Sequence, residues 1–250
     1  MFVARVSFPV HADNRDAVGD AANDLTACWY KNGQVVDQRI DVYRGMRLDV
    51  FVRIAERTSL DHANDNVYAA ECRSRIHPIV PEVEILGSEF DPSPICHCSS
   101  NSALTLFTHY LSTSPPVSCL DCFGAVPLYR LPHAKDQEHL TLLQWAADYR
   151  ACDTLQMHCT TGERFAERQL YDASGSLPRN GRNLAADLER LSGIPTYYYL
   201  HKMRTRSRES DLTRPCPGCG EAWRLESPLH IFDFRCDSCR LLSACASMTS

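Results

Sequence analysis

Three observations predict an α+β chain built in three parts. The first ninety residues alternate strand, helix, strand, strand, helix and strand patterns. The stretch SEFDPSPICHCSSNS at 88–102, rich in Ser and Pro, breaks that rhythm before a second α/β region. Two CxxC pairs, CPGC and CDSC, then flank an aromatic-rich hairpin pattern near the end. With 250 residues, 44% of them apolar and 23% charged, the chain has enough apolar surface for one large or two modest cores.

The N-terminal part opens with an apolar strand from Phe2 to Phe8. Val18, Ala21, Ala22, Leu25, Cys28 and Trp29 then recur at helical spacing, with Asp13 or Asn14 as cap and Asn32-Gly33 as stop. Two period-2 stretches follow, Val36/Gln38/Ile40/Val42 and Leu48/Val50/Val52/Ile54, and the turn at Arg44-Gly45 between them predicts a hairpin. A second helix is expected from Ser59, its cap, to about Ile76, and a last strand from Pro81 to Leu86. The order β-α-β-β-α-β is that of the ferredoxin-like plait, assigned here to residues 1–90. Cys28 and Cys72 fall in the two helical patterns and read as core thiols.

Residues 91–202 form the second, cysteine-containing α/β domain. Strands are expected at Leu104–Leu111 and Val126–Leu131, with the loop STSPPVS and the pair CLDC (119–122) between them, and an apolar stretch runs from Leu140 to Met157. A helix spans Leu177 to Leu191: Ser176 caps it, Pro178 sits in its first turn, Leu184, Leu188 and Leu191 form its buried stripe, and Gly193 lies just past its end. The strand TYYYL follows. Residues 203–214 are polar and basic and read as a linker to a final module at 215–243.

That module carries the strongest chemical signal in the chain. Cysteines two residues apart let backbone N–H groups turn towards the thiolates, and two such pairs supply four soft ligands in a tetrahedron. Sixteen residues lie between Cys219 and Cys236, one hairpin's worth, so Cys216, Cys219, Cys236 and Cys239 are expected to hold a structural zinc ion in a zinc ribbon. So short a segment has no core of its own, and the metal must hold it. A rubredoxin-like iron site and a redox dithiol are the alternatives. Cys119 and Cys122 suggest a second metal, completed either by Cys96 and Cys98 or by Cys152 and Cys159. The latter pair is seven residues apart, which on an unbroken helix is about 10 Å, so it serves only if the helix ends before Cys159.

Thirteen cysteines in clustered pairs fit a reducing compartment, and neither a secretory leader nor a membrane-length apolar run is present, so the expected location is the cytoplasm and no membrane partner is expected. The formal net charge of −5 argues against a protein whose whole surface is a polyanion footprint. Positive charge concentrates instead at Lys202, Arg204, Arg206 and Arg208, beside a hairpin carrying Trp223 and Arg224. A basic linker next to an aromatic surface suits single-stranded nucleic acid, with another protein as the alternative partner. The sheet residues Arg47, Asp49, Phe51 and Arg53 match an RNA-binding strand only loosely and read better as a covered or solvated face. No phosphate loop, HExxH or GxSxG is found, so no catalytic residue is assigned; an enzyme of the middle region would use Cys159, Glu163 or Arg164.

CLDCFGAVPLYRLP (119–132), WAADYRACDTLQMHCTTGERFAERQL (145–170), GIPTYYYL (193–200) and CPGCGEAWRLESPLHIFDFRCDSCRLLS (216–243) together resemble a bacterial family of unknown function described as Zn-ribbon-containing, with a conjectured nucleic-acid role. The resemblance covers most of residues 104–243. It implies a C-terminal zinc ribbon with ligands at Cys216, Cys219, Cys236 and Cys239, and it carries over no catalytic residue. The expectation is therefore a zinc-binding, non-enzymatic protein, with nucleic acid or another protein as its partner.

Overall fold

The computed structural model describes every residue except 12, 91–92, 134–137, 203, 206 and 249–250. It is a mixed α+β chain that divides into two compact units. The first comprises 1–96 with 113–115 and 125–140, and the second 97–112, 116–124 and 141–250. No helix among the described residues is long and apolar enough to cross a membrane.

In the first unit β1 (Phe2–Pro9), α1 (Arg15–Asn32), β2 (Val35–Arg44), β3 (Arg47–Ile54), α2 (Val67–Arg75) and β4 (Glu82–Ser88) follow one another, and the strands lie in the order β2-β3-β1-β4, all antiparallel. Alternate residues Ala4, Val6, Phe8 and Leu48, Val50, Val52, Ile54 point to one face, where they share a core with Val18, Ala22, Leu25 and Trp29 of α1 and with Ala69 and Cys72 of α2. Each fully buried large side chain contributes roughly 2 kcal/mol. Gly33 ends α1 in the left-handed region, φ 79°, and a Cβ there would lie 2.3 Å from that of Leu128, so both the backbone and the neighbour demand glycine.

Expected boundaries move in three places. The strand expected at Leu104–Leu111 runs only over Leu104–Leu106. The second helix starts at Val67 rather than Ser59, because Asn66 caps it, accepting from the Ala69 N–H at 2.9 Å. Ser59 instead accepts from the Glu56 N–H at 3.0 Å and closes a turn. Residues 126–131 are not a strand: Leu128–Arg130 make a single 3-10 turn.

The other sheet face is polar. The Asp49 carboxylate is buried, accepts from Ser7 Oγ at 2.5 Å and pairs with Arg44, while Arg5, Arg47 and Arg53 pair with Glu84, Glu82 and Glu89. Burial would raise the Asp49 pKa, but the Ser7 and Arg44 hydrogen bonds win and hold it below the usual carboxylate range.

The second unit is built on a six-stranded sheet, β6-β5-β7-β11-β10-β9, from β5 (Leu104–Leu106), β6 (Val117–Cys119), β7 (Thr196–Tyr199), β9 (Arg224–Leu229), β10 (Phe232–Cys236) and β11 (Leu241–Ser243). The cysteine-rich hairpin β9–β10 is continuous with that sheet because β11 runs parallel to β7. Helices α3 (Leu140–His158), α4 (Glu163–Tyr171) and α5 (Ser176–Ser192) precede β7 in the chain. Helix α5 buries Leu177, Pro178, Gly181, Ala185 and Leu188, and Gly193 stops it at φ 72°. The stretch expected to be a linker holds β8 (Arg204–Thr205), which pairs with β12 (Ser247–Met248), and the short α6 (Arg208–Leu212).

Candidate metal centres

The terminal cysteines converge. The sulfurs of Cys216, Cys219, Cys236 and Cys239 all lie within 4.8 Å of one another, with Cys219 and Cys236 3.6 Å apart. The Gly218 N–H points at Cys216 Sγ at 3.4 Å, and the Gly220 N–H closes the turn onto the Cys216 carbonyl at 2.8 Å. A Cβ on Gly218 would stand 2.6 Å from Cys239 Sγ, so the space between the knuckles is already filled by the thiols. Cys219 is exposed, and the Glu221 N–H and Ser238 hydroxyl pull its thiol down to about 7. Burial, with the neighbouring sulfurs, pushes Cys239 up to about 12.

A second group has the same compactness: the sulfurs of Cys96, Cys98, Cys119 and Cys122 lie within 4.8 Å of one another. The CLDC turn aims the Asp121 and Gly124 N–H groups at Cys119 and Cys122 at 3.3 and 3.4 Å. Asp121 is held below the usual carboxylate range by the Ser102 hydroxyl and N–H. Of the two completions the sequence left open, the structure assembles the one with Cys96 and Cys98. Cys152 lies inside α3, and Cys159 sits just past its end with its thiol donating to the Gln156 carbonyl at 3.1 Å.

Each CxxC turn ends in a residue with left-handed backbone: Phe123 at φ 58°, Gly220 at 79° and Arg240 at 52°. For phenylalanine and arginine that conformation is unfavourable and persists only where the surroundings fix it. The three turns therefore share one local geometry, and the sequence shows it openly only at Gly220. His230, also left-handed at φ 56°, stands at the tip of the β9–β10 hairpin. Its ring stacks on Phe123 at 5.0 Å and its Nε2 lies 2.8 Å from the Leu120 carbonyl. The hairpin that bears Cys236 thus touches the turn that bears Cys119 and Cys122, a contact with no local signal in the sequence.

Among the described residues, those expected to meet nucleic acid include one buried ring and one lysine held against another ring. Trp223 is 4% exposed, packs on Phe234 at 5.2 Å and donates from Nε1 to the Arg214 carbonyl at 3.1 Å. This corrects the expected stacking surface: in so small a hairpin the aromatic rings are needed inside as packing. Arg224 is exposed, Arg208 begins α6, and the Lys202 ammonium lies over the Tyr171 ring at 5.8 Å. Arg206 and the side chain of Arg204 lie outside the described residues. Arg235 and Arg240 are paired with Asp237 and Glu189.

Fold and site define a mixed α+β protein with two tetracysteine groups able to hold metal. The chain belongs to a bacterial family that includes an uncharacterized protein of Haemophilus influenzae, 32% identical over 244 residues and 92% of each chain. A second uncharacterized protein of the same organism is 33% identical over 187 residues, 74% of this chain and 91% of that protein. Residues 98–201 match the family described as Domain of unknown function (DUF2310), and residues 205–248 the one described as Domain of unknown function (DUF8594). No solved structure matches the chain.

Proposed function

We propose that this is a zinc-binding, non-enzymatic cytoplasmic protein in which each tetracysteine group holds one structural Zn²⁺. The observation that carries the reading is that two separate sets of four thiols each fall within 4.8 Å. Zn–S bonds of about 2.3 Å in a tetrahedron set the sulfurs about 3.8 Å apart, which such groups accommodate with little movement. Four thiolates close the coordination shell and leave no position for substrate, so the metal would organise the chain rather than do chemistry. The hairpin with a CxxC turn at each end supports a zinc ribbon at 215–243. The strand order β2-β3-β1-β4 with α1 and α2 on a shared core supports a ferredoxin-like plait at 1–90. Metal analysis of protein purified without added metal tests the proposal. Wild type is expected to carry two zinc ions, and Cys236→Ser and Cys122→Ser one each. Iron, or no metal, rejects it.

One observation favours a second reading, contact with nucleic-acid phosphates. Arg179, Arg182 and Arg240 line a cleft of about 400 Å³ beside Cys239, and Arg179 and Arg182 have no acidic partner among the described residues. Against it stand the Glu189 carboxylate in the same cleft and the double negative charge of a zinc tetrathiolate. Two phosphate contacts would give log affinity against log salt a slope of about −1.4 for a single strand, flattened by Arg179→Ala with Arg182→Ala. Anisotropy of labelled single-stranded RNA and DNA at several salt concentrations measures this, and absence of binding at low salt removes the reading.

A further inference from the structure

We propose that Cys28 and Cys72 are a modification site: a dithiol that closes reversibly to an interhelix disulfide by exchange with a low-molecular-weight disulfide, glutathione disulfide being the probe. Either cysteine alone reads as packing, since one lies in α1 and the other in α2. The fold places their sulfurs 2.9 Å apart. That is inside ordinary nonbonded contact, about 3.5–4.0 Å between carbons, and within about 1 Å of a disulfide bond. Both helices lie on the core face of the same sheet, so closing the bond demands little backbone movement. Among the described residues no other thiol pair lies outside the tetracysteine groups.

The pair is also reachable. Cys72 lines a cleft of about 330 Å³ together with Ala21, Asp24, Arg75 and His77, with 4% of the residue exposed, and its partner Cys28 is half-buried. Arg75 Nη2 lies 3.9 Å from Cys72 Sγ, which puts a cation beside the sulfur that faces the cleft. The thiolate of Cys72 attacks one sulfur of glutathione disulfide, forming a mixed disulfide and expelling a glutathione thiolate, which takes up the proton Cys72 released. Cys28 then gives up its proton and attacks the Cys72 sulfur, expelling the second glutathione thiolate, which takes up that proton. Two protein thiols are oxidised and one glutathione disulfide is reduced to two glutathione thiols; excess glutathione reverses both steps. Burial and the adjoining Cys72 push Cys28 up to about 12, so closure is slow at neutral pH and quickens as pH rises.

The test exposes the full-length, metal-loaded protein to glutathione buffers of increasing oxidised fraction, followed by acid quench, alkylation, digestion and peptide mass spectrometry. The expected product is a Cys28 peptide joined to a Cys72 peptide, lighter by two hydrogens than the reduced pair and absent after reduction. In Cys28→Ser, with Cys28→Ala as a second variant against loss of fold, Cys72 is expected to carry glutathione instead. Full alkylation of both thiols in the fully oxidised buffer, with circular dichroism unchanged, overturns the proposal. So does a link from either thiol to a different cysteine. Zinc content measured on the same samples keeps this result separate from the metal reading.

Discussion

Gly218 is where one methyl group would matter most to the terminal metal group. Its Cβ would meet Cys239 Sγ at 2.6 Å and Cys239 Cβ at 3.2 Å, so Gly218→Ala must displace a ligand. The expected result is a terminal site at least about tenfold weaker in chelator competition, with the other site unchanged. His139 makes a different prediction, for the first unit. Burial, then the neighbouring His133 ring at 4.4 Å, pushes its pKa down from 6.5 to about 3. The unfolded chain therefore binds a proton that the folded chain refuses between those values, and stability falls as pH drops through 6.5. Wild type should lose about 1.5 kcal/mol more than His139→Gln between pH 6.5 and pH 5, as read by urea unfolding. At this scale the clustering of the four terminal cysteines was legible because CxxC spacing is itself a geometric constraint. The left-handed backbone of Phe123 and Arg240 was not, since neither side chain advertises it.

Elements were legible where one segment carries all its own signals. Helix α5 has an N-terminal proline and a C-terminal glycine within one stretch and forms over Ser176–Ser192, but Gly175 rather than Ser176 is its N-cap, and of the expected stripe Leu188 is buried while Leu191 is exposed. Helix α2 shows the opposite case: Ser59 and Asn66 are both good caps, and the choice between them depends on where Ser59 finds its hydrogen bond. Residues 126–131 have strand-like composition but no partner strand, so they turn instead. Packing of α5 depends on Gly181, whose absent Cβ would lie 2.2 Å from the Tyr198 ring and 2.7 Å from Trp145 Nε1. Gly181→Ala improves helix propensity by up to about 1 kcal/mol yet is expected to destabilise by about 1–3 kcal/mol overall, since a rigid core must open. A lowered urea midpoint would show it; a raised one would mean that these rings move freely.

Across the whole molecule, what the sequence could not convey is long-range pairing. Nothing local to Leu241–Ser243 says that it joins Thr196–Tyr199 in parallel, nor that His230 reaches Leu120. These pairings make the terminal hairpin part of the second unit's sheet, so metal loss should be felt beyond the ligands. Chelation is expected to raise hydrogen exchange across β9, β10, β11 and residues 117–124 while leaving β1, β3 and α1 protected, because those three share a core without cysteine ligands. The central claim is that both groups are zinc tetrathiolates, and X-ray absorption at the zinc edge on protein carrying its native metal tests it most directly. The account predicts four sulfur neighbours at about 2.3 Å and no nitrogen or oxygen in the first shell. A mixed shell, with nitrogen or oxygen replacing a thiolate, or no zinc edge at all, would contradict it.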